Sequence, residues 1–578
     1  MNKLKPLREF IEHQGLSALL IPRTDEFQGE YIAPCSQRLA WLTGFTGSAG
    51  FAIISRDKAA FFTDGRYSLQ AQQELPSFYE RYNISQKSPS QWVLENLSTQ
   101  DKVGYDPWLF TEAQLKKYER PLVALTPNPI DHLWVDRPSP PQDLMRRHPL
   151  KYAGENDESK RARIALTLEA DQLLLTSCDS IAWLLNIRGN DVPHVPLVHS
   201  ICLLRKDHTY DLFVDLRKAN DDVMKGLGKS GGRLIEMSQI LPHLKTIKGS
   251  CQIDPQTLPM ILLHTLEQAG IKIIRESDPC LLPKALKNAV ELKGAKHAHI
   301  QDGIALNRFF EWLYAQPLEG ETTELTAAQK LYEFRQEGNL LQDLSFETIS
   351  GFGPHGAIIH YGVTPESSIP LKREGLYLLD SGGQYLTGTT DVTRTIALGK
   401  PTAEQKDRYT RVLKGHIALA QAIFPEGTTG SQLDSLARQF LWQVGCDYDH
   451  GTGHGVGSYL SVHEGPQGIS KQASAVPLKP GMILSNEPGY YKEGEYGIRI
   501  ESLVTVIELP HLKGFYGFET LTLVPLDLNL IEDFLLTDQE STWVKQYHER
   551  IAQVLSSSVF SSKAIIAYEE NFNTFLSK

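Results

Sequence analysis

The sequence holds few cysteines, and none of them stand in a metal-binding spacing. Six of the 578 residues are cysteine, and they are scattered without a C-x-x-C motif. This scatter argues against a disulfide framework and against a cysteine zinc site. We therefore expect reduced thiols in a reducing compartment.

Long hydrophobic runs and long runs of one charge are also lacking. No stretch approaches the roughly 18 apolar residues that a membrane helix needs. The first 20 residues show neither the apolar core nor the cleavage site of a signal peptide. The formal net charge of -11 argues against nucleic acid or an anionic membrane as the main partner. We expect a cytoplasmic protein that binds neither membranes nor nucleic acids.

The length of the chain points to several domains, since one hydrophobic core rarely supports 578 residues. The proportions of hydrophobic residues (41%) and charged residues (22%) are typical of globular domains. Residues 125–142 contain five prolines and are interpreted as a linker. We predict domains over residues 1–130, 131–289 and 290–578.

The first two of these domains carry similar patterns. Residues 16–48 and 170–191 each contain an apolar strand, an aspartate, the tripeptide Ala-Trp-Leu and a turn with glycine. Residues 50–67 and 200–218 each contain two apolar segments joined by a polar turn, which predicts a β-hairpin in both domains. We therefore expect a duplicated α/β domain.

The third domain opens and closes with helical patterns. Residues 290–316 have apolar positions near a period of 3.6, which predicts a long helix. Residues 513–531 are strand-like, and a second helical pattern covers 538–555. We interpret the chain from about residue 513 as a C-terminal extension of this domain.

Four acidic residues of the third domain occupy strand contexts. Asp380 and Asp391 stand on the two arms of a Gly-rich hairpin pattern, where they can meet across the hairpin. Glu487 precedes a Pro-Gly break, and Glu501 lies in the alternating segment 495–507, which predicts one strand. One acid at a strand end is more often solvated or paired than functional. Four buried acids repel unless a cation neutralises them, and with one histidine they suit a pair of divalent ions.

The segment DHGTGHGVGSYLSVHEG, residues 449–465, holds three histidines among five glycines. His450 and His454 stand four apart, which on a helix would form a zinc-binding pair. Glycine costs about 1 kcal/mol against alanine at a helical position, so four alternating glycines argue against a helix. We expect an extended or irregular segment and separate roles for the histidines.

One histidine and four carboxylates follow one another in an order that resembles the ligand pattern of the pita-bread metallopeptidases: Asp380, Asp391, His454, Glu487 and Glu501. That family includes methionine aminopeptidase, prolidase, creatinase and aminopeptidase P. The sequence around these residues is most similar to that of aminopeptidase P, the X-prolyl aminopeptidase, in its long three-domain form. The similar segments are DSGGQYLTGTTDVTRT, HGTGHGVGSYLSVHEGP, NEPGYY, GIRIES and GAIIHY.

The resemblance implies an α/β (α+β) architecture with two creatinase-N-like α/β domains followed by a C-terminal pita-bread catalytic domain. It also implies two divalent metal ions. By its pattern Asp380 chelates one ion, His454 and Glu487 bind the other, and Asp391 and Glu501 bridge both. Oxygen-rich ligation favours Mn²⁺, with Zn²⁺ and Co²⁺ as alternatives. Glu487 is in addition the expected general base.

Three further histidines match residues of aminopeptidase P that handle the substrate. The resemblance implies that His360, His450 and His463 bind the peptide, and that His360 and His463 also assist catalysis by stabilising the carbonyl or the oxyanion. For any one histidine taken alone, a structural or surface role is the ordinary interpretation. Arg499 is expected to pair with a carboxylate of the site rather than to act on the substrate.

The implied activity is release of the N-terminal residue from small peptides with proline at the second position. The X-Pro nitrogen has no N–H and the ring restricts the preceding residue, so a dedicated enzyme is needed. The family is often dimeric, which implies a homodimer.

Three alternatives stay open at this stage. A prolidase, which cleaves only X-Pro dipeptides, shares the metal ligands. A non-catalytic pita-bread protein would bind peptides or histones, and a creatinase-type amidinohydrolase uses the fold without metals. The presence of all five ligand residues argues against the last two.

Overall fold

The N-terminal part of the computed structural model, which describes residues 3–318 and 320–557, is a six-stranded mixed sheet covered by helices. Its strands are Ala18–Pro22 (β1), Phe51–Ser55 (β2), Ala59–Thr63 (β3), Glu80–Asn83 (β4), Val103–Tyr105 (β5) and Leu122–Ala124 (β6). Its helices are Leu4–His13 (α1), Arg38–Thr43 (α2), Ser68–Glu74 (α3), Pro89–Asn96 (α4), Glu112–Leu115 (α5) and Pro129–Leu133 (α6). The strand order is β4-β3-β2-β1-β5-β6, with β2 antiparallel to both β1 and β3 and the outer strands parallel to their neighbours.

Helix α6 corrects the linker prediction. The side chain of Asn128 accepts a hydrogen bond from the backbone N–H of Ile130 and so caps the helix, and Pro129 occupies its first position, where proline is tolerated. Ile130 is buried in the same core as Leu4 and Leu7 of α1. The first core therefore includes α6, which lies inside the segment that the proline count marked as a linker.

A second six-stranded sheet follows. The strands of this part are Arg146–Arg147 (β7), Gln172–Leu175 (β8), Ile187–Arg188 (β9), Ile201–Arg205 (β10), Tyr210–Val214 (β11), Gly232–Glu236 (β12), Ser250–Ile253 (β13) and Lys272–Arg275 (β14). The helices are Leu150–Ala153 (α7), Asp157–Thr167 (α8), Cys178–Leu185 (α9), Asp221–Lys229 (α10), Ile240–Leu244 (α11) and Met260–Gln268 (α12). The next helix, Leu281–Ala285 (α13), belongs to the second compact unit described below except for its first residue. The strand order β12-β11-β10-β8-β13-β14 repeats that of the first sheet strand for strand. The predicted duplication is confirmed, with β2–β3 and β10–β11 as the two predicted hairpins.

The chain divides into two compact units, Met1–Leu281 and Leu282–Lys578. The helices of the second unit are Ala289–Ala315 (α14), Glu324–Gln336 (α15), Ala403–Ala420 (α16), Gly430–Trp442 (α17) and Asp538–Ser557 (α18). Its strands are Leu341–Leu344 (β15), Ile349–Phe352 (β16), Leu376–Ser381 (β17), Gly383–Tyr385 (β18), Gly388–Thr389 (β19), Val392–Ala397 (β20), Phe424–Pro425 (β21), Gly453–His454 (β22), Gly468–Ile469 (β23), Ile483–Asn486 (β24), Gly489–Lys492 (β25), Tyr496–Arg499 (β26), Ser502–Glu508 (β27) and Phe515–Thr520 (β28). The end of the predicted C-terminal extension, residues 558–578, lies outside the described residues.

Three small sheets build the core of the second unit, in the orders β16-β17-β20, β15-β18-β19 and β21-β28-β27-β24. The predicted long helix is confirmed as α14, which begins at Ala289 and is capped by Asn288 through a reciprocal capping box with Glu291. None of the helices in the described part of the chain is long and apolar enough to cross a membrane.

Two strand predictions in this unit need correction. The segment between Asp380 and Asp391 is more than a turn, because β18 and β19 leave the hairpin and pair with each other, and β18 also pairs with β15. The alternating segment 495–507 is two strands, β26 and β27, with a break at Ile500 and Glu501. Both faces of this segment are buried, so the alternation does not separate a solvent face from a core face. The break places Glu501 outside the regular ladder.

Candidate metal centre

Three of the predicted ligands meet in the second unit. Asp391, His454 and Glu501 each offer one ligand atom, and these atoms all lie within 4.8 Å of one another. The Nε2 atom of His454 is 3.4 Å from Oδ2 of Asp391 and 3.5 Å from Oε1 of Glu487. Segments separated by up to about a hundred residues along the chain therefore converge on one point.

The pairing of β17 with β20 brings the two aspartates into this cluster. Asp380 lies opposite Thr393, two residues after Asp391. Glu501 is tied to the same strand twice: its backbone N–H donates to the Thr393 carbonyl oxygen at 3.0 Å, and its Oε2 accepts from the Thr393 hydroxyl at 2.8 Å. These two hydrogen bonds to Thr393 of β20 fix the position of the Glu501 carboxylate.

Ser485 of β24 supports the other side of the cluster. Its hydroxyl accepts a hydrogen bond from the backbone N–H of His454 at 2.9 Å and donates to Oε1 of Glu487 at 3.0 Å. A Cβ added at Gly453 would lie 2.0 Å from the Ser485 carbonyl oxygen, so only glycine fits beside this strand. Close packing of the protein on itself therefore requires glycine at position 453, and the segment is extended at β22, as predicted.

Burial and the mutual repulsion of the carboxylates shift the pKa values of the cluster. Burial raises the pKa of Asp380 to about 6, although the guanidinium of Arg499 opposes that change. Burial, together with the carboxylates of Asp391 and Glu487, raises the pKa of Glu501 well above its ordinary value. Burial alone would lower the pKa of His454, but Asp391 and Glu487 raise it to about 9. Without a metal, the raised pKa values of His454 and Glu501 favour the protonated forms of both side chains.

Arg499 confirms its expected contact with a carboxylate and links two parts of the site. It donates to Oδ2 of Asp380 and to the hydroxyl oxygen of Tyr491, both at 2.7 Å. The Tyr491 hydroxyl in turn lies 2.8 Å from Nε2 of His450. Since Arg499 already donates to this oxygen, the hydroxyl proton points to His450, which then carries its own proton on Nδ1 and donates to the Gly451 carbonyl oxygen at 2.8 Å.

The three substrate histidines of the sequence prediction take different places. Nδ1 of His450 lies 3.9 Å from Oε2 of Glu487. The ring of His463 is half-buried and lies 4.3 Å from the ring of His454, nearly perpendicular to it. His360 is half-buried in a turn that follows β16. Two of the three thus lie beside the candidate ligands, and the roles of all three stay predictions.

The residues present fit a pair of cations. Oδ1 of Asp380 is buried without a hydrogen-bond partner among the described residues, and it belongs to a group of four acids around one histidine. An unpaired buried carboxylate oxygen is costly unless a cation occupies its open side. Carboxylate oxygens with one imidazole form a donor set suited to divalent ions.

Sequence reasoning missed Thr393, Ser485 and Tyr491, which contact the candidate ligands or their hydrogen-bond partners. Thr393 and Tyr491 lie inside the quoted motifs and Ser485 directly precedes NEPGYY, yet each is an ordinary strand residue by type and spacing. Only their proximity to an acidic residue or a histidine in the folded structure distinguishes them from other strand residues.

Comparisons with known proteins agree with this geometry. A model of metallopeptidase family M24 matches residues 293–508, and a model of its C-terminal region matches 514–568. Models of the creatinase/prolidase N-terminal domain match residues 3–134 and 136–291. Aminopeptidase P2 of Arabidopsis thaliana is 39% identical, covering 96% of this chain and 86% of the relative. The chain belongs to metallopeptidase family M24.

Other relatives of this M24 metallopeptidase carry similar names. A probable Xaa-Pro aminopeptidase P of Laccaria bicolor is 40% identical over 95% of this chain and 89% of the relative. The solved X-prolyl aminopeptidase of Caenorhabditis elegans, described as a cytosolic enzyme with a di-nuclear active site, superposes with a TM-score of 0.92. It is 32% identical, and the match covers 96% of both chains. The predicted architecture, two creatinase N-terminal domains followed by a pita-bread domain, is confirmed.

A shorter structure shares only the fold. The Xaa-Pro dipeptidase from Bacillus anthracis is 24% identical with a TM-score of 0.53, and the match covers 64% of this chain and 99% of the dipeptidase. That structure therefore lacks a counterpart for about a third of this M24 chain.

Proposed function

We propose that this protein is an Xaa-Pro aminopeptidase that uses two divalent ions to release the N-terminal residue from peptides with proline at the second position. The observation that carries the proposal is the convergence of Asp391, His454 and Glu501 beside Asp380 and Glu487. The relatives that match nearly the whole chain and are named Xaa-Pro aminopeptidases support the same activity.

The five clustered residues divide into two ligand sets. We assign Asp380 to one ion and His454 with Glu487 to the other, and we assign Asp391 and Glu501 as the bridging carboxylates. Two divalent ions held there lower the pKa of water and polarise the scissile carbonyl. Mn²⁺ is the preferred ion because the donors are mostly carboxylate oxygens, with Zn²⁺ and Co²⁺ as alternatives.

The protein's own groups then handle the proton and the peptide. Glu487 is the general base that removes a proton from the attacking water, and Ser485 holds its Oε1 in place. His463 and His360 donate hydrogen bonds to the carbonyl oxygen as it gains negative charge. His450 uses both ring nitrogens within the protein, so it touches the substrate with the face of its ring.

The remaining proposals concern the surroundings of the site. Domain limits at 1–130, 131–289 and 290–578 are close to the spans that the family models match. A homodimer is proposed from the resemblance to a family that is often dimeric. A cytoplasmic location is proposed from the scattered cysteines and the description of the similar Caenorhabditis elegans enzyme as cytosolic.

The decisive experiment offers the purified, Mn²⁺-loaded protein three peptides. These are an X-Pro-X tripeptide, an X-Pro dipeptide, and a tripeptide with alanine in place of proline. Mass spectrometry follows release of the first residue. We expect cleavage of the X-Pro tripeptide, slower or no cleavage of the dipeptide, and no cleavage of the alanine peptide.

Prolidase is the alternative, because prolidases share the metal ligands. Cleavage confined to the dipeptide would replace the proposal with that activity. A protein that binds no divalent ion and cleaves none of the three peptides would instead indicate a non-catalytic peptide- or histone-binding role.

A further inference from the structure

A buried arginine outside the metal cluster gathers the segment that precedes His454. Arg438 lies on α17, twelve residues before His450, and its side chain is 1% exposed. Its Nε donates to Oδ2 of Asp434 at 2.7 Å, and its Nη2 donates to the carbonyl oxygen of His450 at 2.8 Å. Its Nη1 donates to Oδ1 of Asp447 at 2.9 Å and to the carbonyl oxygen of Tyr448 at 2.6 Å.

The same segment is also linked to Asp434 through the hydroxyls of Tyr448 and Thr452. The guanidinium of Arg438 stacks 3.8 Å above the ring of Tyr448. The hydroxyl of Thr452 donates to Oδ1 of Asp434 at 2.5 Å, so the Tyr448 hydroxyl, 2.6 Å away, must donate to Thr452. Both oxygens of one carboxylate and all three nitrogens of one guanidinium thus hold residues 447–452 in a closed network.

This network contacts two residues of the candidate site, His450 and Glu487. The ring of Tyr448 lies 4.8 Å from the ring of His450 and forms one side of its packing. The carbonyl oxygen of Thr452 accepts the backbone N–H of Glu487 at 2.8 Å. The position of the His450 ring, and part of the support of Glu487, therefore depend on a residue that lies on a helix and touches neither the metal ligands nor the substrate.

We propose that Arg438 is a positioning residue for peptide hydrolysis that acts through His450. The proposal rests on the proposed Xaa-Pro aminopeptidase function and extends it to a residue outside the motifs. The planar fork of arginine reaches two carboxylates and two carbonyl oxygens at once, and a lysine ammonium cannot reproduce that arrangement. A conservative Arg438→Lys change keeps the charge and loses the fork.

A double-mutant cycle tests this dependence with Arg438→Lys, His450→Ala and the combination, each loaded with Mn²⁺. Arg438→Lys is expected to lower kcat/KM for the X-Pro tripeptide by at least about 10-fold, and the double variant is expected to stay within about 3-fold of His450→Ala alone. Losses that multiply would show that Arg438 does not act through His450. Loss of bound metal in Arg438→Lys would place its effect on the ligands and would also overturn the proposal.

Arg411 supplies the matched control. It lies on the neighbouring helix α16, pairs with Asp407, and donates to a backbone carbonyl oxygen of α17 at 3.2 Å. Arg411→Lys makes the same chemical change without contact to residues 447–452. We expect kcat/KM near wild type, and the combination of Arg411→Lys with His450→Ala should therefore match His450→Ala alone in kcat/KM and wild type in the exchange of residues 447–454.

Two further measurements separate this proposal from the function on which it rests. Hydrogen exchange of peptides covering residues 447–454 is expected to accelerate in Arg438→Lys and not in Arg411→Lys, and this readout needs no turnover. Tyr448→Phe removes only the hydroxyl and serves if Arg438→Lys does not fold; its loss in kcat/KM is also expected to vanish in the His450→Ala background. Unchanged hydrogen exchange in Arg438→Lys would refute the proposed role of Arg438 in holding residues 447–452. A wild-type protein without peptidase activity would instead refute the proposed Xaa-Pro aminopeptidase function.

Discussion

Removal of the metal should leave a protein whose stability falls as the pH rises from 7 to 9. In the metal-free site His454 is half-buried between the carboxylates of Asp391 and Glu487, which raise its pKa to about 9. The folded state thus binds a proton that the unfolded state, with the ordinary histidine pKa of about 6.5, releases. The stabilisation is fully present below pH 6.5 and is lost as the pH rises through 9.

The size of the effect follows from the change in pKa. A difference of about 2.5 units between the folded and unfolded states corresponds to about 3 kcal/mol of unfolding free energy over the whole titration, of which about 2 kcal/mol is lost between pH 7 and pH 9. For a unit of this size, 1 kcal/mol moves the melting temperature by about 2 °C, so the expected fall between pH 7 and pH 9 is about 4 °C. The window above pH 7 is chosen because His416 and His548, whose pKa burial lowers to about 3, affect stability only at lower pH.

The assay is thermal unfolding of the chelated protein at pH 7, 8 and 9, followed by circular dichroism. His454→Gln should remove the part of the slope that His454 supplies, the raised pKa of the Glu501 carboxyl accounting for any remainder, and His511→Gln, which changes an exposed histidine, should keep the whole slope. The metal-loaded protein should show a flat profile, because the metal displaces the proton from His454. A metal-free slope that is as steep in His454→Gln as in the wild type would refute the reasoning.

Three further changes test other parts of the site. Asp391→Asn should abolish turnover while circular dichroism shows an intact fold; full activity would refute the assignment of Asp391 as a bridging ligand. Arg499→Met should destabilise the metal-free protein by about 3–5 kcal/mol in thermal or denaturant unfolding, since it leaves the Asp380 carboxylate buried without its cation. Gly453→Ala should weaken metal binding by at least about 10-fold in calorimetry, because its Cβ would lie 2.0 Å from the Ser485 carbonyl oxygen. Gly465→Ala, whose Cβ would meet nothing within 4 Å, is the control, and equal loss in both would contradict the packing argument.

The parts of the fold that the sequence predicted share a local signal. The hairpins β2–β3 and β10–β11 each consist of two apolar segments around a polar turn, and α14 repeats apolar residues at the helical period. The duplication was visible because both copies keep these patterns in the same order. Short-range periodicity and turn residues were sufficient for these elements.

The parts that the sequence did not predict depend on contacts between distant residues. Helix α6 is short and proline-rich, and only the burial of Ile130 against α1 explains why it forms. The break at Glu501 follows from its two hydrogen bonds to Thr393, more than a hundred residues earlier. Arg438 has no distinguishing spacing at all, because its four acceptors come together only when α17 and residues 447–450 fold.

The hydroxyl of Ser485 has a consequence for how this site can change. It holds the backbone of His454 with one hydrogen bond and the carboxylate of Glu487 with another. A shift of β24 would therefore move the proposed nitrogen ligand and the proposed base together. Redesign of metal preference in this protein would have to begin at that strand, and would alter proton transfer in the same step.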